Sequence, residues 1–265
     1  MVKGRSKSFK VNCAIRAVEL TKHFGSVIAL DHFSVQIEEG RFFGFLGPNG
    51  AGKTTFIKLL TGQLRPTSGQ PVVLGYDVLQ NPLEVKRRIG LVSDEPNLYE
   101  YLTPREFLRF VGRIYGLERA KIEQRSAELL ALVSLTAKCD VICKELSHGM
   151  RKKLEVAAAL IHDPKVLFLD EPFSGIDPVD SRAIKDVLRE LTERGVTVFM
   201  SSHVLEIVER LCTEIAIIHH GRLVGQGSVA ELRQRAMAGA NSPLEDVFLT
   251  LIQAQPKEGK LWWEQ

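Results

Sequence analysis

Short apolar runs alternate along the chain with longer segments in which apolar residues recur every three or four positions. The short runs predict buried strands at 14–20, 41–46, 89–92, 166–169 and 196–200. Phe33, Val35 and Ile37 alternate with polar residues, which predicts a half-exposed strand. Helical spacing follows at 56–60, 104–115, 118–135, 150–161 and 184–191. The pattern predicts a parallel α/β core with ligand groups at the C-terminal ends of its strands.

The block between about residues 95 and 162 differs from its surroundings. Strands and helices alternate on either side, whereas the block itself carries mainly helical spacing, which predicts an inserted helical lobe. Thr103, Pro104 and Glu106 mark the start of its first helix, with Thr103 as the cap and Glu106 closing a capping box. We expect one domain over 14–252, a basic tail at 1–13 and a C-terminal tail at 253–265.

Composition narrows the class of protein. The 265 residues are 45% hydrophobic, enough for a large core, and the net charge of +3 is too small to indicate a nucleic-acid partner. No apolar run approaches the roughly 20 residues of a membrane helix, and no apolar segment follows the basic start as in a secretory signal. We therefore expect a soluble or peripheral protein. Four scattered cysteines predict free thiols rather than a disulfide framework.

A glycine-rich segment between a predicted strand and a predicted helix is the first candidate functional motif. It has a glycine, four spacers and Gly-Lys-Thr, the spacing of a phosphate-binding loop, and consists of Gly47, Pro48, Asn49, Gly50, Ala51, Gly52, Lys53, Thr54 and Thr55. Its backbone amides and the following helix N-terminus favour an anion. Lys53 is placed to bridge the β- and γ-phosphates, and the Thr54 hydroxyl to bind Mg2+. The sequence therefore predicts nucleoside triphosphate binding.

Two carboxylates and a histidine follow predicted strands elsewhere in the chain. Asp170 and Glu171 end the apolar run at 166–169, and His203 follows the run at 196–200. We expect Asp170 to hold Mg2+, Glu171 to act as general base towards water, and His203 to contact the γ-phosphate. An acidic turn and a structural histidine are the alternative interpretations. Periodicity alone also favours a core position for Phe24.

With these residues, the chain resembles the nucleotide-binding subunit of ATP-binding cassette (ABC) transporters over about residues 14–252. The matching motifs are a Walker A loop at 47–55, a Walker B strand with its catalytic glutamate at 166–171, a D-loop at 174–177 and a switch histidine at His203. The resemblance implies a RecA-like P-loop NTPase core with an N-terminal antiparallel β-subdomain and an inserted α-helical subdomain. It also implies that Phe24 lies against adenine, which reverses the core interpretation.

Two positions depart from the family pattern. The signature, usually Leu-Ser-Gly-Gly-Gln, reads Leu-Ser-His-Gly-Met at 146–150, so Ser147 and Gly149 remain to bind the nucleotide while His148 replaces a glycine. Asp94 aligns with a glutamine that senses Mg2+, and an aspartate can still bind the metal directly or through water. Hydrolysis is therefore expected to be slow or altered. If so, Asp94→Gln raises the Mg-ATPase rate, and an unchanged rate and Mg2+ dependence would count against the idea.

The resemblance also implies partners and a location. The signature of one cassette caps ATP on the Walker A loop of another, so we expect a homodimer or a heterodimer with a related cassette. Multi-span permease subunits would carry the substrate, and the segment 244–249 indicates export. The expected location is cytoplasmic, peripheral on the inner face of the cell membrane, with no nucleic acid bound. Two alternatives stay open: a soluble ABC protein acting on ribosomes or DNA, and a catalytically weak regulatory subunit.

Overall fold

The computed structural model describes residues 13–239 and 242–253, which form two β-sheets and a set of helices. The predicted tails lie outside the described residues, apart from Cys13 and Gln253. The strands are β1 (Cys13–Phe24), β2 (Val27–Glu38), β3 (Phe42–Leu46), β4 (Ser68–Val73), β5 (Tyr76–Asp77), β6 (Ile89–Val92), β7 (Val166–Asp170), β8 (Thr197–Ser202), β9 (Glu214–His219) and β10 (Arg222–Gly227). The helices are α1 (Lys53–Leu60), α2 (Pro82–Lys86), α3 (Pro104–Ile114), α4 (Arg119–Leu132), α5 (His148–Leu160), α6 (Pro178–Glu193), α7 (Leu205–Leu211), α8 (Val229–Arg235) and α9 (Leu244–Gln253).

The larger sheet positions the chemistry. Its six strands run in the order β10-β9-β3-β8-β7-β6, and every neighbouring pair is parallel except the β9–β10 hairpin at one edge. The C-terminal ends of β3, β7 and β8 therefore meet at one edge of the sheet, next to the loop that leads into α1. The smaller sheet, in the order β2-β1-β4-β5, is antiparallel throughout. Both sheets match the predicted fold class.

Strand β3 is buried on both faces, which is why its sequence is an unbroken apolar run. Phe43 and Phe45 belong to a core cluster that also includes residues of the antiparallel sheet and α1, while Phe42 and Leu46 belong to a cluster that includes residues of α6 and α7. The phenyl ring of Phe45 lies 5.1 Å from that of Phe56 on α1, measured between centroids. This packing holds the start of α1 against the central strand.

The helical lobe has a core of its own. Phe107, Ile122, Leu130 and Leu154 belong to a separate buried cluster formed by α3, α4 and α5. The predicted capping box is present, because the Thr103 hydroxyl accepts from the Glu106 amide while the Glu106 carboxylate accepts from the Thr103 amide. The α5 helix also contributes to the cluster beneath the large sheet. It therefore connects the lobe to the core.

The structure differs from the sequence prediction in the antiparallel sheet. β1 continues to Phe24, four residues beyond the predicted end, because it forms a hairpin ladder with β2 in which Phe24 pairs with Val27. β4, for which the short apolar runs predict no strand at 68–71, begins at Ser68 because it pairs with β1 between Ile15 and Thr21. Pairing with a distant strand overrides local Gly and Pro composition here. All four cysteines, which lie in the described part, are free as predicted.

Candidate functional site

The glycine-rich loop connects β3 to α1 in a tight turn whose glycines are required by space and backbone angle. A Cβ atom on Gly47 would lie 2.5 Å from the carbonyl oxygen of Ile218 on β9. Gly52 has a φ of 109° and caps the N-terminus of α1. The backbone amides that begin α1 have no partner within the helix, so this end presents positive charge to an anion. The loop thus has the shape and the polarity that suit a phosphate group.

Lys53 is the first residue of α1 and is 6% exposed. Its Nζ donates to the carbonyl oxygens of Gly47, at 2.8 Å, and of Pro48, at 3.2 Å. The same Nζ lies 3.4 Å from Oε1 of Glu171, whose side chain is 14% exposed. The lysine is therefore folded back into its own loop and paired with the predicted general base.

Glu171 stands between Lys53 and His203. Its Oε2 lies 3.0 Å from Nδ1 of His203, whose side chain is half exposed. Glu171 has a φ of 45°, in the left-handed region that costs a residue with a side chain about 1–2 kcal/mol. Such a backbone conformation is typical of functional sites, where the surrounding structure maintains it. The three predicted catalytic residues are thus brought into contact.

Ser201 joins Asp170 to the backbone of Glu171 and was not singled out from the sequence. It is fully buried at the end of β8 and pairs in register with Asp170 on the parallel strand β7. Its hydroxyl donates to Oδ1 of Asp170 at 2.5 Å and accepts from the backbone amide of Glu171 at 3.2 Å. A polar residue at the tip of a predicted apolar strand was the available signal. Ser201 therefore holds the Asp170 carboxylate and the backbone of Glu171.

Two cavities open at this edge of the sheet. One, of about 360 Å³, is lined by Thr54, Asp94 and Asp170 among others. The other, of about 120 Å³, is lined by Glu171, Ser174 and His203 among others. The first brings together the three residues predicted to bind Mg2+, and a hydroxyl with two carboxylates suits this oxygen-seeking ion.

Among the described residues, no cluster of three or more His, Cys, Asp or Glu side chains could hold a metal. The three residues predicted to bind Mg2+ agree with this result, because they supply two carboxylates and a hydroxyl rather than an all-protein cage. Mg2+ commonly binds to one or two carboxylates and takes its other ligands from water and phosphate. The residues present fit such a partly supplied metal site.

Phe24, Ser147 and Gly149 are not among the described residues that line either cavity. Phe24 is 47% exposed, so the core position favoured by periodicity is wrong. The reason is that it ends β1 at the tip of the hairpin, where its ring has the Lys22 ammonium 4.9 Å from its centroid. An exposed ring remains available to stack on a base.

The signature segment begins α5. The Ser147 hydroxyl accepts from the backbone amide of Met150 at 3.2 Å, and Gly149 has no close neighbour at its Cβ position. His148 packs against Gly175 of the same chain, since a Cβ on Gly175 would lie 2.8 Å from Cδ2 of the imidazole. The unusual histidine thus fills space beside the 174–177 segment.

Three features define the class of protein: a parallel sheet, a glycine-rich loop that leads into a helix, and acidic residues at the adjacent strand ends. This combination is that of the P-loop nucleoside triphosphate-binding proteins. Comparisons with known proteins narrow the class. The family model described as ABC transporter matches residues 30–174. A second model, described as AAA domain, putative AbiEii toxin, Type IV TA system, matches residues 140–209.

Curated relatives are described as ATP-binding proteins. The bacitracin transport ATP-binding protein BcrA of Bacillus licheniformis is 37% identical over 222 residues, which are 83% of this chain and 72% of BcrA. The probable multidrug ABC transporter ATP-binding protein YbhF of Escherichia coli is 37% identical over 250 residues, 92% of this chain but 42% of YbhF. This chain therefore spans less than half of that longer relative.

Solved structures share the fold. The structure described as the ATP binding subunit of an ABC transporter superposes with a TM-score of 0.85 at 28% identity, covering 90% of this chain and 99% of the other. The ATP-binding cassette MJ0796, solved as a dimer in a post-hydrolysis state with ADP and Pi, gives a TM-score of 0.75 at 22% identity, covering 81% and 98%. The second likeness concerns the fold alone.

This chain belongs to the ABC transporter family, as an ATP-binding subunit. It binds ATP, and as a member of the family it is an ATPase whose reaction is coupled to transport. This result favours the transporter interpretation of the sequence over the soluble alternative acting on ribosomes or DNA.

Proposed function

We propose that ATP lies along the 47–55 loop, with its phosphates on the backbone amides of Gly50, Gly52 and Lys53. In this assignment the Lys53 ammonium leaves Glu171 and pairs with the phosphates. Mg2+, bound with the nucleotide, would supply positive charge to the phosphate oxygens and be held by Thr54, Asp170 and Asp94. The larger cavity carries the proposal, because it holds all three side chains beside the loop.

Glu171 and His203 would act on the attacking water. The Glu171 carboxylate is the base that accepts a proton from this water, and its neighbours restrain it on both sides, with Lys53 at one oxygen and His203 at the other. Once Lys53 has moved to the phosphates, the imidazole still orients the carboxylate. The presence and contact of all three groups favour an active ATPase over a catalytically weak regulatory subunit.

A second cassette completes the site in this proposal. Ser147, Gly149 and the N-terminus of α5 form an anion-binding surface outside the chain's own cavities, and they would cap ATP held by the 47–55 loop of a partner. Such reciprocal contacts require a two-fold pair, formed by two copies or by two related chains. Phe24 would stack on adenine. We assign residues 14–252 to this single ATPase domain, with the helical subdomain at about 95–162.

The transport pathway would lie on separate multi-span permease subunits. The described residues contain no helix with the length and apolarity needed to cross a membrane. Tyr99 and Tyr101 are 58% and 75% exposed in the irregular segment before α3, where a permease helix would dock. We place the chain on the inner face of the cell membrane. The proposed direction of transport is export, since the names of two relatives refer to bacitracin transport and to a multidrug transporter.

Nucleotide-dependent dimerisation tests the proposal. Glu171→Gln with Mg-ATP is expected to form a dimer in light scattering, because the nucleotide is bound but not consumed. Ser147→Ala in the same background serves as the matched variant and is expected to weaken this dimer. A chain that binds Mg-ATP yet stays monomeric at high concentration would contradict a site completed by a second copy. Adding a related cassette from the same cell then distinguishes the heterodimer.

A further inference from the structure

Three charged residues of α5 are buried, and two of them, Lys152 and Glu155, hydrogen-bond to the segment that follows β6. Lys152 is 0% exposed and Glu155 is 7% exposed. The Lys152 ammonium donates to the backbone carbonyls of Ser93 and of Asp94, the latter at 2.6 Å. Oε1 of Glu155 accepts from the backbone amide of Ser93 at 3.1 Å. The two side chains thus bind three backbone groups of one short segment.

This segment has just left the sheet. β6 ends at Val92, so the backbone groups of Ser93 and Asp94 have passed beyond the ladder that pairs β6 with β7. Backbone groups beyond the end of a ladder still need hydrogen-bond partners. Lys152 and Glu155 supply them from nearly 60 residues further along the chain. They therefore determine the path of the segment as it enters the cavity lined by Asp94, Thr54 and Asp170.

The arrangement is costly as a source of stability. Burial lowers the pKa of Lys152 and raises the pKa of Glu155 to about 7, so both charged forms are disfavoured. Oε2 of Glu155 is buried with no hydrogen-bonding partner among the described residues. Apolar residues of similar volume often serve a core as well as or better than buried charges. A role in positioning explains the retained charges better than stability does.

We propose that Lys152 and Glu155 are positioning residues of the nucleotide site: they hold the backbone of Ser93 and Asp94 and thereby place the Asp94 carboxylate for the metal that accompanies ATP. The inference rests on the proposed assignment of the Thr54–Asp94–Asp170 cavity to Mg2+. It also connects two parts of the site, since the helix that carries both residues starts at the signature residue Ser147. Neither residue needs to touch ATP for this role.

The test measures binding of a fluorescent ATP analogue to the full chain while Mg2+ is titrated. Lys152→Met removes the ammonium but keeps most of the volume. It is expected to raise the Mg2+ concentration at half-maximal binding by about tenfold, the lower end of what loss of a supporting hydrogen bond costs a metal site. Binding in excess EDTA should stay within about twofold of wild type, because the loop at 47–55 is untouched. Glu155→Gln, which keeps an acceptor for the Ser93 amide, should shift the Mg2+ dependence less.

Lys153→Met is the matched control. Lys153 is the next residue of α5, is 4% exposed, and pairs with Asp180 at 2.8 Å, away from Asp94. We expect it to lower the melting temperature comparably while leaving the Mg2+ dependence unchanged. If the effect came from a general loosening of the fold, both lysine variants would shift the Mg2+ dependence alike. This result would overturn the proposal.

A double-mutant cycle tests whether the effect passes through Asp94. In an Asp94→Asn background, Lys152→Met should cause no further change in Mg2+ dependence; independent, additive effects would overturn the inference. If wild type needs Mg2+ for binding and Lys152→Met shows the same Mg2+ dependence, this inference is overturned while the proposed metal site stands. A wild-type chain whose nucleotide binding ignores Mg2+ would contradict the proposed metal site and the inference with it. Should Lys152→Met not fold, Glu155→Leu, which removes the acceptor for the Ser93 amide, carries the same comparison.

Discussion

Glu171→Gln separates the two tasks assigned to Glu171, namely competition for Lys53 and activation of water. The substitution keeps the shape of the side chain and removes its charge. In the structure Lys53 Nζ lies 3.4 Å from Oε1 of Glu171, and both side chains are largely buried. At this distance two unit charges attract by about 5 kcal/mol at an effective dielectric constant of about 20.

The net value of this ion pair is smaller, because both charges lose hydration when they are buried and Glu171 faces a cavity. A value of about 2 kcal/mol is reasonable, since Lys53 keeps its bonds to two loop carbonyls. ATP must displace this interaction, so its removal is expected to tighten ATP binding by about 30-fold. Loss of the general base should lower the rate of hydrolysis by about 10²–10⁴-fold. Binding and turnover therefore move in opposite directions.

The assay combines equilibrium binding of ATP with phosphate release in a single turnover, both at neutral pH with Mg2+. Glu206→Gln is the matched control, because Glu206 on α7 is a surface glutamate paired with Arg210 at 2.9 Å. Its binding and turnover should equal those of wild type. Turnover in Glu171→Gln within about threefold of wild type would refute the role as base, since removing a general base costs far more. Unchanged ATP affinity would refute the competition for Lys53.

Three further predictions follow from other parts of the structure. Gly47→Ala should lower the free energy of unfolding by about 1–3 kcal/mol in urea titration and weaken ATP binding, because its Cβ would lie 2.5 Å from the Ile218 carbonyl. Phe24→Ala should weaken ATP binding by about tenfold if the exposed ring stacks on adenine, while inorganic triphosphate binding stays unchanged. Burial lowers the pKa of His162, whose Nε2 bonds to the Ile89 carbonyl at 2.9 Å, so acid should destabilise the fold. As the pH falls below about 6.5, His162 binds a proton in the unfolded chain but not in the folded chain, which favours unfolding. In thermal melts at several pH values, the melting temperature of His162→Phe should therefore fall less on acidification than that of wild type.

Controls decide each of these predictions. Gly239→Ala should be nearly neutral, because the Cβ position has ordinary contact distances and an ordinary φ; equal losses at Gly47 and Gly239 would contradict the packing argument. Phe24→Trp should retain ATP affinity, and a loss equal to that of Phe24→Ala would rule out stacking. If the melts of His162→Phe and wild type respond identically to acid, His162 is not the titrating group.

The sequence predicts the large sheet and the phosphate loop well for a physical reason. β3, β7 and β8 are buried on both faces, so each appears as an apolar run, and the loop between β3 and α1 needs glycines for space and backbone angle. Those signals are local. Asp170, Glu171 and His203 stand at strand ends, and parallel topology then brings them to one edge of the sheet. Most of the site could therefore be placed before the structure was known.

The remaining features depend on contacts that no local pattern reveals. Lys152 and Glu155 lie on a helix whose apolar stripe was recognised, and charged residues beside such a stripe are ordinarily assigned to solvent. They are buried where they hydrogen-bond to the backbone of Ser93 and Asp94, about 60 residues away. β4 likewise depends on its partner β1 rather than on its own Gly- and Pro-containing sequence. In each case the deciding hydrogen bonds join segments that are distant along the chain.

An ATPase that drives transport needs a membrane partner. The most direct measurement is affinity purification of the tagged chain from detergent-solubilised membranes, followed by identification of the recovered proteins and by ATPase assay of the complex. We expect a multi-span membrane protein in stoichiometric amount and ATP hydrolysis that is abolished by Glu171→Gln. Recovery of the chain alone, or with ribosomes, would contradict this expectation.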